Sequence, residues 1–192
     1  EFPDVDFSFN PNWNRTGSGN SMLRAPFNPE SINYMCYSDT VISPDAVTTL
    51  ASTLGEVVIA VDTSWQDRYI ERPHADREIA EKVRILNEEI VEIGRHIPIA
   101  QATAEFTGLV KFDAKAISVI AEIRNRYDKD SEPLDVPSIL TEIKSSGVTL
   151  RYVDIGGSWA ELNDRMDLAK FVLRSKAESL ETLSPLVRAS VI

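Results

Sequence analysis

The sequence predicts an α/β fold built on a mixed sheet. Three observations lead there. Continuous β-branched runs of the buried type, above all "EVVIAVD" (56–62), alternate along the chain with helical patterns. "KVRIL" and "EIVEIG", joined by Asn87-Glu88, read as a hairpin, which makes the sheet mixed rather than wholly parallel. The chain has 192 residues and is 43% hydrophobic, enough for one sizeable core.

The elements follow in order. "VDFSF" (5–9) alternates apolar and polar residues, as a short strand does. "NPNWNRTGSGN" is a loop, and "SMLRA" a short helix stopped before Pro26. "INYMCYS" is a strand that ends on Asp39. In "SPDAVTTLAST", Ser43 suits the N-cap, Pro44 the first helical position and Gly55 the stop. "EVVIAVD" ends on a second acid, Asp62. "TSWQDRYIERPHADREIAEKV" reads as a polar loop with one or two helical turns. After the hairpin come the strand "AEFTGLVKF" and the amphipathic helix "DAKAISVIAEIRNRY". The helix "VPSILTEIKSSG", the strand "VTLRYVDIG", a short strand holding Glu161 and the helix "RMDLAKFVLRS" complete the domain, 1–175. Residues 176–192 are helical in propensity, a tail or a linker to a further module.

Composition excludes several functions. With 20 basic and 30 acidic residues, net −10, the surface repels phosphates over most of its area, so a nucleic-acid partner is not expected. One basic pocket for a small phosphorylated ligand is compatible with that charge. The single cysteine, Cys36, leaves no disulfide framework or zinc–cysteine site within the chain and fits a cytoplasmic location. There is no run of about 18 apolar residues and hence no membrane span.

In open α/β sheets ligands collect at the carboxyl ends of strands, where Asp39 and Asp62 are expected. Such an acid can hold a hard cation, or it can simply cap the next helix. The small residues of "NRTGSGNSML" precede a helix start, so their N–H groups can face an anion or make an ordinary turn. Arg68, Arg72, His74 and Arg77 cluster around Pro73, where they can bind a phosphate or pair with Glu71, Asp76 and Glu78. In "GSWAELNDRMDLAKF", helix-terminal charge explains Asp164 and Asp167 but not Glu161.

Taken in order, "NRTGSGNSML", "CYSDTVISPDAV", "VVIAVDTSWQDRYIERP", "AEFTGLVKFD" and "WAELNDRMDLAKF" resemble the nucleoside-triphosphate-dependent nucleotidyltransferases. The nearest likeness is to cytidylyltransferase-like members acting on phosphocholine, phosphonates or sugar phosphates. The resemblance implies a Rossmann-like mixed sheet and Mg²⁺-dependent transfer from a nucleoside triphosphate, CTP favoured, to a small phosphate- or phosphonate-bearing acceptor with release of pyrophosphate. It implies Asp39 as the metal acid, with Glu161 or Asn163 as the second metal ligand and Asp164 as a substitute. It also implies Thr16, Gly17, Ser18, Asn20 and Ser21 near the nucleotide, and Arg68, Arg72, Arg77 and Glu105 on the acceptor side. The family's Gly-x-Gly-Thr-Arg-Leu loop and downstream Pro-Lys do not occur here. The resemblance therefore implies a domain lacking its first βα units, inactive on its own and completed within a larger protein. The alternative is a non-catalytic binding or scaffold domain of a multi-domain protein.

Overall fold

The computed structural model describes residues 6–70, 74–127, 132–173, 175 and 176. Its helices are α1 (Ser18–Met22), α2 (Pro44–Ser52), α3 (His74–Ile79), α4 (Ala114–Arg126) and α5 (Val136–Ser145). Its strands are β1 (Asn33–Cys36), β2 (Thr40–Ile42), β3 (Val57–Asp62), β4 (Lys82–Leu86), β5 (Glu89–Gly94), β6 (Ala104–Phe112), β7 (Leu150–Asp154) and β8 (Trp159–Glu161). Residues 165–173 are also helical.

Six strands make one mixed sheet in the order β5-β4-β6-β3-β7, with β1 added beside β6. Only β3 and β7 pair in parallel. β3 is buried along its whole length, as its unbroken apolar run requires. Its alternate residues serve two cores. Val57, Ile59 and Val61 pack with Ile120, Ile123, Ile139 and Leu140 of α4 and α5. Val58 and Ala60 pack with Ala46 and Leu50 of α2. Helices thus cover both faces, which is the mixed, helix-flanked α/β architecture that the sequence predicts.

The local signals act as expected at most ends. Ser43 caps α2 by accepting from the Ala46 N–H at 3.2 Å. Asp113 and Asp135 do the same for α4 and α5. The β4–β5 turn holds Asn87 and Glu88 at φ 51° and 64°, the left-handed pair that a two-residue hairpin demands. One expected strand does not form: residues 6–9 have no sheet partner, and Phe7 and Phe9 are exposed. Alternation without a neighbouring ladder is not enough to make a strand. Arg72 and most of the expected tail, 177–192, lie outside the described residues.

The long strand β6 creates the feature that matters for function. β3 fills one side of it. On the other side β1 pairs with residues 109–112, and β4 pairs with residues 104 and 105. Between the end of β1 and the start of β4 lies a notch over residues 106–108. β5 ends there too, since Gly94 stands opposite Lys82.

Candidate functional site: an acid-lined cleft at the sheet edge

The notch opens into a cleft of about 770 Å³. It lies where β3 and β1 end, the position at which α/β sheets collect ligands. Asp39, Glu161 and Asn163 all line it, although more than 120 residues of sequence separate the first from the others. A two-stranded ribbon brings them together. β2 pairs antiparallel with β8, Thr40 opposite Glu161, and the Leu162 N–H donates to the Asp39 carbonyl at 2.8 Å. Asp39 sits in the turn between β1 and β2 and leaves the capping of α2 to Ser43. β1 is a short lateral strand with alternating exposure rather than a buried central one, because β6 is its only sheet partner among the described residues.

The second strand-end acid, Asp62, has a different task. It is buried; its carboxylate accepts from the Trp159 indole N–H at 2.9 Å and the Ser64 N–H at 2.8 Å. Asp62 thereby ties the ribbon to the main sheet. Arg68 continues the tie: its guanidinium stacks on the Trp159 ring at 3.7 Å and pairs with Glu105 at 3.1 Å.

Glu105 is 4% exposed on the cleft floor and also accepts from the Tyr69 hydroxyl at 2.5 Å. Burial pushes its carboxyl up to about 7, against the pull of Arg68 and Tyr69, while Glu161 and Asp62 add to the rise. Next to it, just before β4, Glu81 accepts from the Tyr37 hydroxyl at 2.9 Å and from Arg95 at 3.1 Å. Burial raises Glu81 as well.

The other predicted residues divide. Among "TGSGNS", only Ser18 lines the cleft. Asn20 is buried; its side chain bonds the Gly17 N–H, the Leu134 N–H and the Glu132 carbonyl. Thr16 and Ser21 accept from Asn10. A Cβ on Gly17 would stand 2.2 Å from the Leu134 carbonyl oxygen, so this glycine serves close packing against the chain before α5. Asn20 thus ties α1 to the chain before α5, while Thr16 and Ser21 are held by Asn10. Arg68 is spent on Glu105 and Trp159, and Arg77 does not line the cleft. The cations that do are Arg95 and Lys170. Sequence reasoning missed Arg95, whose only local mark is the preceding Gly94.

Asp39, Glu161 and Asn163 offer hard oxygen donors of the kind Mg²⁺ takes. Among the described residues, no three His, Cys, Asp or Glu side chains come together closely enough to hold a metal alone. A cation held there would have to complete its shell with water and phosphate oxygens.

Comparison with known proteins gives a consistent picture. No protein-family profile matches the chain. A CTP:phosphoglutamine cytidylyltransferase from Campylobacter jejuni is 27% identical over 140 residues, covering 69% of this chain and 55% of that protein. Two solved structures share the fold. An inositol-1-phosphate CTP transferase from T. maritima aligns over 80% of this chain and 58% of its own, with a TM-score of 0.61 and 20% identity. A putative glucose-1-phosphate thymidylyltransferase from Bacillus anthracis aligns over 81% and 59%, with a TM-score of 0.60 and 17% identity. The chain thus spans somewhat over half the length of each of these relatives. Its relatives are nucleotidyltransferases, cytidylyltransferase-like members among them, as the motif order implied.

Proposed function

We propose that this chain takes part in cytidylyl transfer from CTP to a small acceptor bearing a phosphate or phosphonate. An acceptor oxygen attacks the α-phosphorus, a new P–O bond forms, and the bond to the β-phosphate breaks to release pyrophosphate. The observation that carries this reading is the meeting of Asp39, Glu161 and Asn163 in one cleft at the sheet's carboxyl edge. Asp39, with Glu161 or Asn163, would hold Mg²⁺, which when bound supplies charge neutralisation at the phosphates. The chain's own part is to position that charge and align the reactants, because phosphoryl chemistry asks for little else. The Campylobacter relative makes an amino-acid-derived phosphate a good first acceptor to try.

The test measures pyrophosphate release from CTP, UTP, ATP, GTP and dTTP with phosphoglutamine, phosphocholine, aminoethylphosphonate and sugar 1-phosphates. CTP-dependent turnover is expected in the whole protein. Asp39→Asn should lower kcat/KM by about 10²-fold or more, the scale of losing one electrostatic stabiliser. Turnover indifferent to Asp39→Asn would overturn the assignment. The internal use of Thr16 to Ser21 favours a second reading, a nucleotidyltransferase-like binding domain without transfer. Nucleotide binding with no pyrophosphate release from any pair would select it.

A further inference from the structure

We propose that Thr40 is a positioning residue of the cation site, its hydroxyl donating to the Glu161 carboxylate in the cation-loaded state. This rests on the Mg²⁺-dependent transferase reading above and adds a residue that shapes the site without touching the cation.

The backbone of the β2–β8 ribbon carries the first part of the argument. The Leu162 N–H donates to the Asp39 carbonyl at 2.8 Å, and the Ser43 N–H donates to the Ser158 carbonyl at 2.9 Å. The first bond flanks the pair Thr40–Glu161, the second the pair Ile42–Trp159. An antiparallel pair flanked in this way is a non-hydrogen-bonded pair, with Cα atoms about 4.5 Å apart and side chains at their closest. Thr40 and Glu161 therefore stand face to face on one side of the ribbon. That side is the cleft side, because Thr40, Glu161 and Trp159 all line the cleft. Asp39 belongs to the same frame, since the Thr40 N–H also donates to the Tyr37 carbonyl, at 3.4 Å, across the turn that holds it.

The second part is chemical. The Thr40 hydroxyl oxygen is buried, and among the described residues it is the one buried hydroxyl without a hydrogen-bond partner. Thr103 and Thr107 show the usual outcome: each donates to a carbonyl, of Val83 at 3.0 Å and of Ala60 at 2.9 Å. An unmet buried hydroxyl costs the fold stability and calls for a reason. Glu161 supplies one. It is half-buried, on a flexible stem, directly across the strand pair. A turn of Thr40 to another staggered rotamer moves the hydroxyl without moving the ribbon. The bond it can then make, O–H to carboxylate, is of the stronger kind. A carboxylate that ligates a metal is held in place by just such a neighbour, which fixes its orientation. With the donor already seated on the partner strand, less of that ordering remains to be done when the cation arrives.

The experiment measures Mn²⁺ binding to the full chain by electron paramagnetic resonance, with Mg²⁺ as competitor, beside urea denaturation without divalent cation. Thr40→Val keeps the shape of the side chain and removes the hydroxyl, while Thr40→Ser keeps the hydroxyl. Mn²⁺ should bind Thr40→Val about tenfold more weakly or worse, the usual scale for a residue that orients a metal ligand, and Thr40→Ser close to the wild type. Without cation, Thr40→Val should be at least as stable as the wild type, because it loses only an unmet hydroxyl. On a Glu161→Ala background, Thr40→Val should weaken Mn²⁺ no further, since the two residues act as one. Wild-type affinity in Thr40→Val overturns the inference. So does a loss of affinity that comes with a lower urea midpoint, or one that persists in full on the Glu161→Ala background. Mn²⁺ binding that Asp39→Asn and Glu161→Ala both leave unchanged, or no saturable binding by the wild type, overturns the cation reading itself and the inference with it.

Discussion

At the scale of single residues, Glu105 shows how much the cleft depends on burial. Its neighbours Arg68 and Tyr69 donate to both oxygens, yet loss of hydration outweighs them and lifts the carboxyl to about 7 from an ordinary 4.5. The folded chain then holds a proton that the unfolded chain has already released between those values. In that window the unfolding free energy falls as pH rises, and the full cost is present above about pH 7. At 1.36 kcal/mol per unit the effect is on the order of 3 kcal/mol. Glu105→Gln cannot titrate. The stability of the wild type relative to this variant, from urea denaturation, should therefore decline by roughly that amount between pH 4.5 and 8. A difference that stays flat across this range would show that Glu105 titrates normally. None of this was legible in "AEFTGL", because the shift comes from burial first and from the nearby Glu161 and Asp62, against Arg68 and Tyr69, and only the fold assembles that setting.

The ribbon of β2 and β8 is the element on which the site depends, since Asp39 precedes one strand and Glu161 ends the other. Three-residue strands are too short to hold themselves. Trp159 supplies the anchor, with its N–H on buried Asp62 and Arg68 stacked on its face. Trp159→Phe keeps a ring for Arg68 but removes the donor and leaves one Asp62 oxygen without it. A loss of about 1–3 kcal/mol is expected in urea, the cost of an unmet buried acceptor. The same variant should raise the Mg²⁺ concentration needed for half-maximal binding, because Asp39 and Glu161 lose their fixed spacing. Stability and Mg²⁺ affinity both at wild-type level would mean that the ribbon stands without its anchor. Sequence made the elements legible where local chemistry decides them: Ser43-Pro44 before α2, Asn87-Glu88 between β4 and β5, the apolar run of β3. It could not show which strand-end acid faces solvent. Asp39 and Asp62 look alike in the chain, and only the partners Trp159 and Ser64 make Asp62 a structural acid.

For the whole molecule, the net charge of −10 is not spread evenly. Asp39, Asp76, Glu81, Glu105, Glu161, Asp164 and Asp167 line one cleft against Arg95 and Lys170. The motif order made the relatives legible, but the crowding of acids here depends on β1 and β4 sharing one side of β6, a register that no local pattern specifies. Such crowding works against the folded state, which monovalent salt relieves by screening and a bound divalent cation relieves locally. At constant ionic strength, Mg²⁺ should therefore stabilise the full chain beyond what NaCl does. At ten times its dissociation constant the gain is about 1.4 kcal/mol, from the linkage of binding to folding. Asp39→Asn and Glu161→Gln should each lose most of this increment while keeping the NaCl response. Urea denaturation in matched NaCl and MgCl₂ separates the two contributions. If the two salts act identically on the wild type, the acids form a diffuse negative surface. If the Mg²⁺ increment survives both substitutions, the cation binds elsewhere.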